Sequence, residues 1–314
     1  MSPLNRNVAT QPAGGSSLAG ERRVHESVIK GLLVAAAALS VLTTVGIVVS
    51  LLSETISFFR VVPIKDFLFG TNWTPSFTNP EYGVVPLVAG TLMLALIAII
   101  VAVPLGLGAA LYLSEFASSR TRKVFKPILE VLAGVPTIVF GYFALTFFTP
   151  TVLNDWLGLG VPVFNALSAG IVMGFMVMPT IASVSEDALS AVPRSLRAGA
   201  YGLGANKMQV AVRVVFPAAL SGIVASIVLG VSRAIGETMI VLIAAGQKPN
   251  LTADPRQPME TIATFIARTA KGDIAQGTTV YKTIFAVGMT LFLMTFVMNA
   301  LSIKLVNKYR QVYE

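Results

Sequence analysis

The sequence predicts an all-α, polytopic membrane protein with six transmembrane helices. Three observations predict it. Hydrophobic residues make up 54% of the 314-residue chain, charged residues only 12%, and the mean hydropathy is +0.76. A soluble domain carries about 25% charged residues. Several apolar runs reach the length of about 18 residues that a helix needs to cross a bilayer. The runs of about 10 residues with alternating polarity that would mark a β-barrel are not visible.

The elements follow in order. Residues 1–28 are polar and rich in Ser, Gly, Ala and Asn, which predicts a disordered tail. The apolar run over about 29–53 is too long for the core of a signal peptide, so it reads as a retained first span. A segment outside the membrane follows, to residue 83. Five further spans are expected near 84–113, 127–149, 165–184, 219–245 and 283–303, then a short tail over 304–314.

Six spans put both termini on one side. That side holds fifteen of the 23 lysines and arginines, including Arg22, Arg120, Lys126, Arg194, Arg213 and Lys304. The other side holds seven, and Arg233 lies within a span. The positive-inside rule places the richer side, with both termini, in the cytoplasm. Trp73 and Trp156 read as interfacial anchors on the other side. The net charge of +8 therefore has a topological explanation, and no nucleic acid is expected as a partner. There is no cysteine, and the single histidine, His25, lies in the polar tail. Disulfides, thiolate metal sites and cysteine catalysis are excluded. No catalytic constellation, metal site or cofactor is expected.

Pro104, Gly106 and Gly108 interrupt the second span, Gly134, Pro136 and Gly141 the third, and Gly170, Gly174 and Pro179 the fourth. Such residues suit close helix packing, and also a translocation path. In the fifth span, "SRAIGETMIV" places Arg233 about 16 residues, or about 24 Å, beyond Pro217. A charge at that depth costs about 2.5–3.5 kcal/mol. Arg233 and Glu237 are four apart, so both project from one face. Gly222, Ser226, Gly230, Ala234 and Thr238 form a ladder of small residues beside them, which turns the pair toward protein. Three readings of the pair stay open. It neutralises itself and fixes packing; or Arg233, with Glu237 and Thr238 nearby, meets a transported oxyanion; or it exchanges partners during gating.

The loop 185–217 is too long for a simple connector. Ser195 reads as the N-cap of a short helix to about Tyr201. A second helical segment, about 207–216, shows Met208, Val212 and Val215 as its apolar positions, and Pro217 leads into the fifth span. "SED" (Ser185, Glu186, Asp187) reads as a solvated loop, and Glu115 and Glu130 as local partners of basic neighbours.

This loop resembles that of the ABC importer permeases, whose motif runs Glu-Ala-Ala, three residues, Gly, about nine residues, then Ile-x-Leu-Pro. "AGAYGLGANKMQVAVRVVFP" aligns with it: Ala198 stands where the family has Glu, Gly199 at the first Ala, Ala200 at the second, Gly204 at the glycine, and Val214, Phe216 and Pro217 at the end. The stretches "VPLVAGTLMLALIAIIVAVPLGLGAALYLSEFA", "LEVLAGVPTIVFGYFALTFFTP", "GIVMGFMVMPTIASVSEDALSAVP" and "GVSRAIGETMIV" extend the likeness over about 84–303, toward PstC-type permeases of phosphate importers. The resemblance implies a type I ABC importer permease fold. It implies a homologous second permease (PstA-like), two copies of a cytoplasmic ATPase (PstB-like), an external phosphate-binding protein (PstS-like) and phosphate as substrate. It also implies that Ser195, Arg197, Ala198, Gly199, Ala200, Tyr201 and Gly204, with Pro217, form the coupling element that sits on the ATPase. The chain has no G-x-x-x-x-G-K-[ST] motif, so nucleotide would be held by another subunit.

Overall fold

A computed structural model describes residues 18–309, and the described residues form twelve helices. The chain divides into two units, α1 as far as Leu52 and everything from Ser53 onward. In the first unit, α1 (Leu18–Phe59) carries an apolar stretch from Glu26 whose side chains are exposed through most of its length. Helix therefore replaces the disorder expected over 18–28, because a polar turn extends a helix whose nucleation the apolar run already supplies. The rest of the expected tail, 1–17, lies outside the described residues, as do 310–314 at the other end.

The second unit is built on two helices packed along their length, α3 (Val85–Phe116) and α6 (Ala166–Ser190). Small residues let them approach. A Cβ added at Gly174 would lie 2.7 Å from the Val101 Cβ, and one at Gly170 would lie 2.8 Å from the Ile97 Cβ. A third helix, α9 (Leu220–Ile235), packs on both α6 and α3, and α12 (Thr279–Tyr309) packs on α9. The ladder reading holds for the helical part of α9. Gly222 faces Ala188, Ser226 exchanges a 2.7 Å hydrogen bond with Ser185, and Gly230 lies against Ile181 and Val177.

Two spans differ from expectation. The stretch 127–149 is not one helix. α4 (Ser119–Ala133) is amphipathic, and the apolar span is α5 (Thr137–Trp156). Pro136 explains the break: it lacks an N–H, adopts an extended ψ of 131°, and keeps Val135 from continuing the helix. The stretch 219–245 also breaks. α9 ends at Ile235, and a second segment, α10 (Val241–Ala245), resumes after Gly236, Glu237 and Thr238.

At the end of the unit away from the 185–217 loop, α2 (Ile64–Phe69) and the strand-like pairing of Trp73 with Tyr82 form a compact cap. Phe58, Phe67, Trp73 and Phe265 meet edge to face there. Trp73 is buried in this cluster and is not an interfacial anchor, because neighbouring rings compete successfully for its face. Trp156 stays exposed. At the same end, Glu260 is fully buried, with Arg268 of α11 (Ile262–Lys271) donating to it at 2.8 Å. Burial pushes its carboxyl above the ordinary value of 4.5, against the opposing pull of Arg268. A glutamate raised on folding contributes stability that is fully present below the unfolded value and is lost as pH rises through the folded one. The thermal stability of the wild type should therefore fall as pH rises above 4.5, relative to a Glu260→Gln variant, as read by melting in detergent. Parallel curves would contradict this.

Candidate translocation site and coupling element

Arg233 lies in the last turn of α9, half-buried. Its Nη1 donates to Thr180 Oγ1 at 2.9 Å, and its Nη2 points to the Ala133 carbonyl at 3.5 Å. Thr180 follows Pro179, the proline inside α6, and Ala133 is the final residue of α4. The last carbonyls of a helix have no partner within it and carry its negative dipole end, so a guanidinium is a favourable neighbour. Arg233 thus joins α9, α6 and α4.

Glu237 does not share its face. α9 stops at Ile235, so the four-residue spacing no longer corresponds to one helical turn. The carboxylate, 8% exposed, accepts from the backbone N–H groups of Met239 at 3.0 Å and Ile240 at 3.2 Å. Among the described residues no ion pair joins Arg233 to Glu237. The self-neutralising reading is therefore not the arrangement found. Thr238, at the same break, donates from Oγ1 to the Gly236 carbonyl at 3.3 Å. It lies beyond the ladder rather than on it.

Two chemical consequences follow. The N-terminus of the α10 segment would ordinarily attract an anion, but Glu237 already occupies it. Arg233 keeps guanidinium hydrogens that neither Thr180 nor Ala133 uses, and among the described residues no carboxylate forms an ion pair with it. Among the described residues Arg233 is thus a positive charge in the span without an ion-pair partner, and Glu237 bears on its surroundings through Oε2, which bonds to no described residue.

The loop folds as two helices, α7 (Arg194–Gly202) and α8 (Lys207–Ala218). Leu196 and Ala200 face inward, onto a cluster that includes Leu189, Val210, Val215 and Ile223. Ser195, Ala198, Gly199 and Tyr201 are exposed. Gly204 takes φ +83°, a left-handed conformation that favours glycine, and so turns the chain between the helices. Pro217 lies near the end of α8, which meets α9 at a 71° bend.

Three loop expectations change, and one cap is new. Ser195 does not cap α7; Pro193 holds that position, with an extended ψ of 140° that sets the first turn without a side-chain bond. Asn206 caps α8 in a reciprocal box with Gln209, a signal that the Asn-x-x-Gln spacing carried. Met208 and Val212 are exposed, whereas Val210, Ala211 and Val215 are buried, because the π-type turn at Ala211–Val215 shifts the buried face. Glu186 is not solvated. It is buried on α6, where Arg122 approaches at 2.7 Å and Lys126 at 2.8 Å. Lys126 also reaches Asp187 at 2.7 Å, and these two hydrogen bonds raise its pKa.

A family model described as "Binding-protein-dependent transport system inner membrane component" matches residues 102–310. The chain belongs to that family. Among its relatives, "Phosphate transport system permease protein PstC" of Xylella fastidiosa (strain 9a5c) is 32% identical over 305 residues, covering 91% of each chain. The protein of the same description from Haemophilus influenzae is 34% identical over 262 residues, covering 78% of this chain and 82% of that one. "Probable ABC transporter permease protein YqgH" of Bacillus subtilis (strain 168) is 34% identical over 237 residues, covering 75% of each. The fold is similar to that of a bacterial ABC transporter involved in the import of alginate, with TM-score 0.62 at 16% identity over 92% of this chain and all of that one. It is also similar to the MetNI methionine ABC transporter, with TM-score 0.54 at 18% identity over 73% of this chain and 95% of that one. As an ABC importer permease, the protein is a non-catalytic, multi-pass inner-membrane component that works with an ATPase and a binding protein.

Proposed function

We propose that this permease carries phosphate, as the PstC-type half of an importer completed by a PstA-like second permease, two PstB-like ATPases and an external PstS-like binding protein. The observation that carries the reading is Arg233, a half-buried guanidinium at a helix break whose only described partners are a hydroxyl and a carbonyl. Its planar fork suits a tetrahedral oxyanion in transit. The sequence likeness to phosphate permeases supports the same substrate. The count of Lys and Arg supports a cytoplasmic loop and cytoplasmic termini. The exposed face of α7, with Tyr201 and the neighbouring Leu203, which is 91% exposed, would then seat in the ATPase.

The test is phosphate uptake by the complete complex in vesicles. Uptake should need ATP and the loaded binding protein, and excess sulfate should not compete. Sulfate uptake in place of phosphate uptake would overturn the substrate reading. Leu203→Asp should reduce the ATPase retained on purification by about 10-fold, since it replaces an exposed apolar contact with a buried charge. Unchanged retention would move the docking face elsewhere.

A further inference from the structure

We propose that Arg197 and Glu115 are positioning residues that fix α7 to the ends of α3 and α6, so that motion of the partner ATPase reaches the spans. This rests on the reading of α7 as the coupling helix. Ala198 brings no charge to α7 at the position where the family motif has its glutamate, while Arg197 beside it turns inward. Its side chain is 18% exposed, and Nη2 donates both to Glu115 at 2.8 Å and to the Leu189 carbonyl at 2.8 Å. Nη1 donates to the Val192 carbonyl. Glu115 is 7% exposed and also accepts from Ser114 Oγ at 3.1 Å.

The three acceptors belong to different structural members. Glu115 closes α3, Leu189 lies in the last turn of α6, and Val192 follows it. A helix of nine residues is not stable alone, and α7 keeps one face exposed. Leu196 and Ala200 supply non-directional apolar contact. The direction of α7 is therefore set by the guanidinium, whose fork holds fixed geometry. Removing either partner leaves the other charge buried without compensation. The same end of α6 carries Glu186 and Asp187, bound by Arg122 and Lys126 of α4. The final carbonyl of α4 in turn faces Arg233. Motion of α7 thus reaches α3, α6 and α4 as one polar block.

The experiment uses the complete complex and compares basal ATP hydrolysis with hydrolysis stimulated by the loaded binding protein. Glu115→Gln should leave ATPase retention and basal hydrolysis unchanged and lower the stimulation about 5-fold. Glu115→Ala should abolish the stimulation, because Arg197 keeps only the Leu189 and Val192 carbonyls and loses its tie to α3. Arg197→Lys, which keeps the charge but not the fork, should give an intermediate value. Stimulation equal to wild type in all three would overturn the proposal. So would a loss that only tracks the amount of assembled complex, since that describes a folding role. Stimulation reads coupling whatever anion is carried. A wild-type complex that is stimulated yet takes up no phosphate overturns the substrate reading alone.

Discussion

Replacing Arg233 with glutamine is expected to reduce phosphate uptake by about 100-fold or more while the complex still assembles. A hydrogen bond to a charged group is worth about 1.5–3 kcal/mol, and a bidentate contact supplies two. Each 1.36 kcal/mol is tenfold in rate, which sets the scale. Glutamine retains a donor for Thr180, so the junction of α9 with α6 keeps a polar contact. Arg233→Lys separates charge from geometry: the charge remains, the fork does not, and uptake should fall to an intermediate level. The measurement is initial uptake in vesicles, normalised to complex recovered. If recovery falls in step with uptake, the guanidinium serves to hold α9, α6 and α4 together, and the anion-contact role is wrong.

The second large effect concerns Glu237, where two substitutions should diverge. Glu237→Ala strips the acceptor from the N–H groups of Met239 and Ile240. Each unpaired buried donor costs about 1–3 kcal/mol, so the break at Gly236–Thr238 should loosen and folded yield should drop several-fold. Glu237→Gln keeps an acceptor and should keep yield. It removes the negative charge, so the preference for HPO₄²⁻, which carries a proton to donate, over sulfate should narrow by about 10-fold, the order of a single charge-assisted hydrogen bond. Sulfate competition against labelled phosphate reads this. An unchanged preference in the glutamine variant would confine Glu237 to capping.

Much of the fold was legible because the signals are local. Apolar runs longer than 18 residues mark α1, α3, α6 and α12 without reference to anything else. The ladder from Gly222 to Ala234 follows from helical periodicity, and the structure sets it against Ala188, Ser185 and Ile181. The helix–Gly–helix form of the loop follows from Gly204. The misses have local causes too, where a break competed with hydrophobicity. Pro136 divided 127–149, and the stop at Gly236 divided 219–245. Asn206 and Gln209 form a capping box whose Asn-x-x-Gln spacing is visible in the sequence.

Sequence alone determined the class of the protein, the order of its apolar runs, and the small-residue face of α9. Backbone periodicity and bilayer thickness leave few alternatives for such runs. Only the tertiary structure decided which charges meet. Arg233 turns to Thr180 and Ala133, 53 and 100 residues away, rather than to Glu237 four residues on. Arg197 reaches Glu115 across 82 residues, and Lys126 reaches Glu186 across 60. A charge in an apolar setting takes whichever partner the packed helices bring within about 3 Å. That distance is set by how spans pack and where they break, which spacing along the chain does not encode.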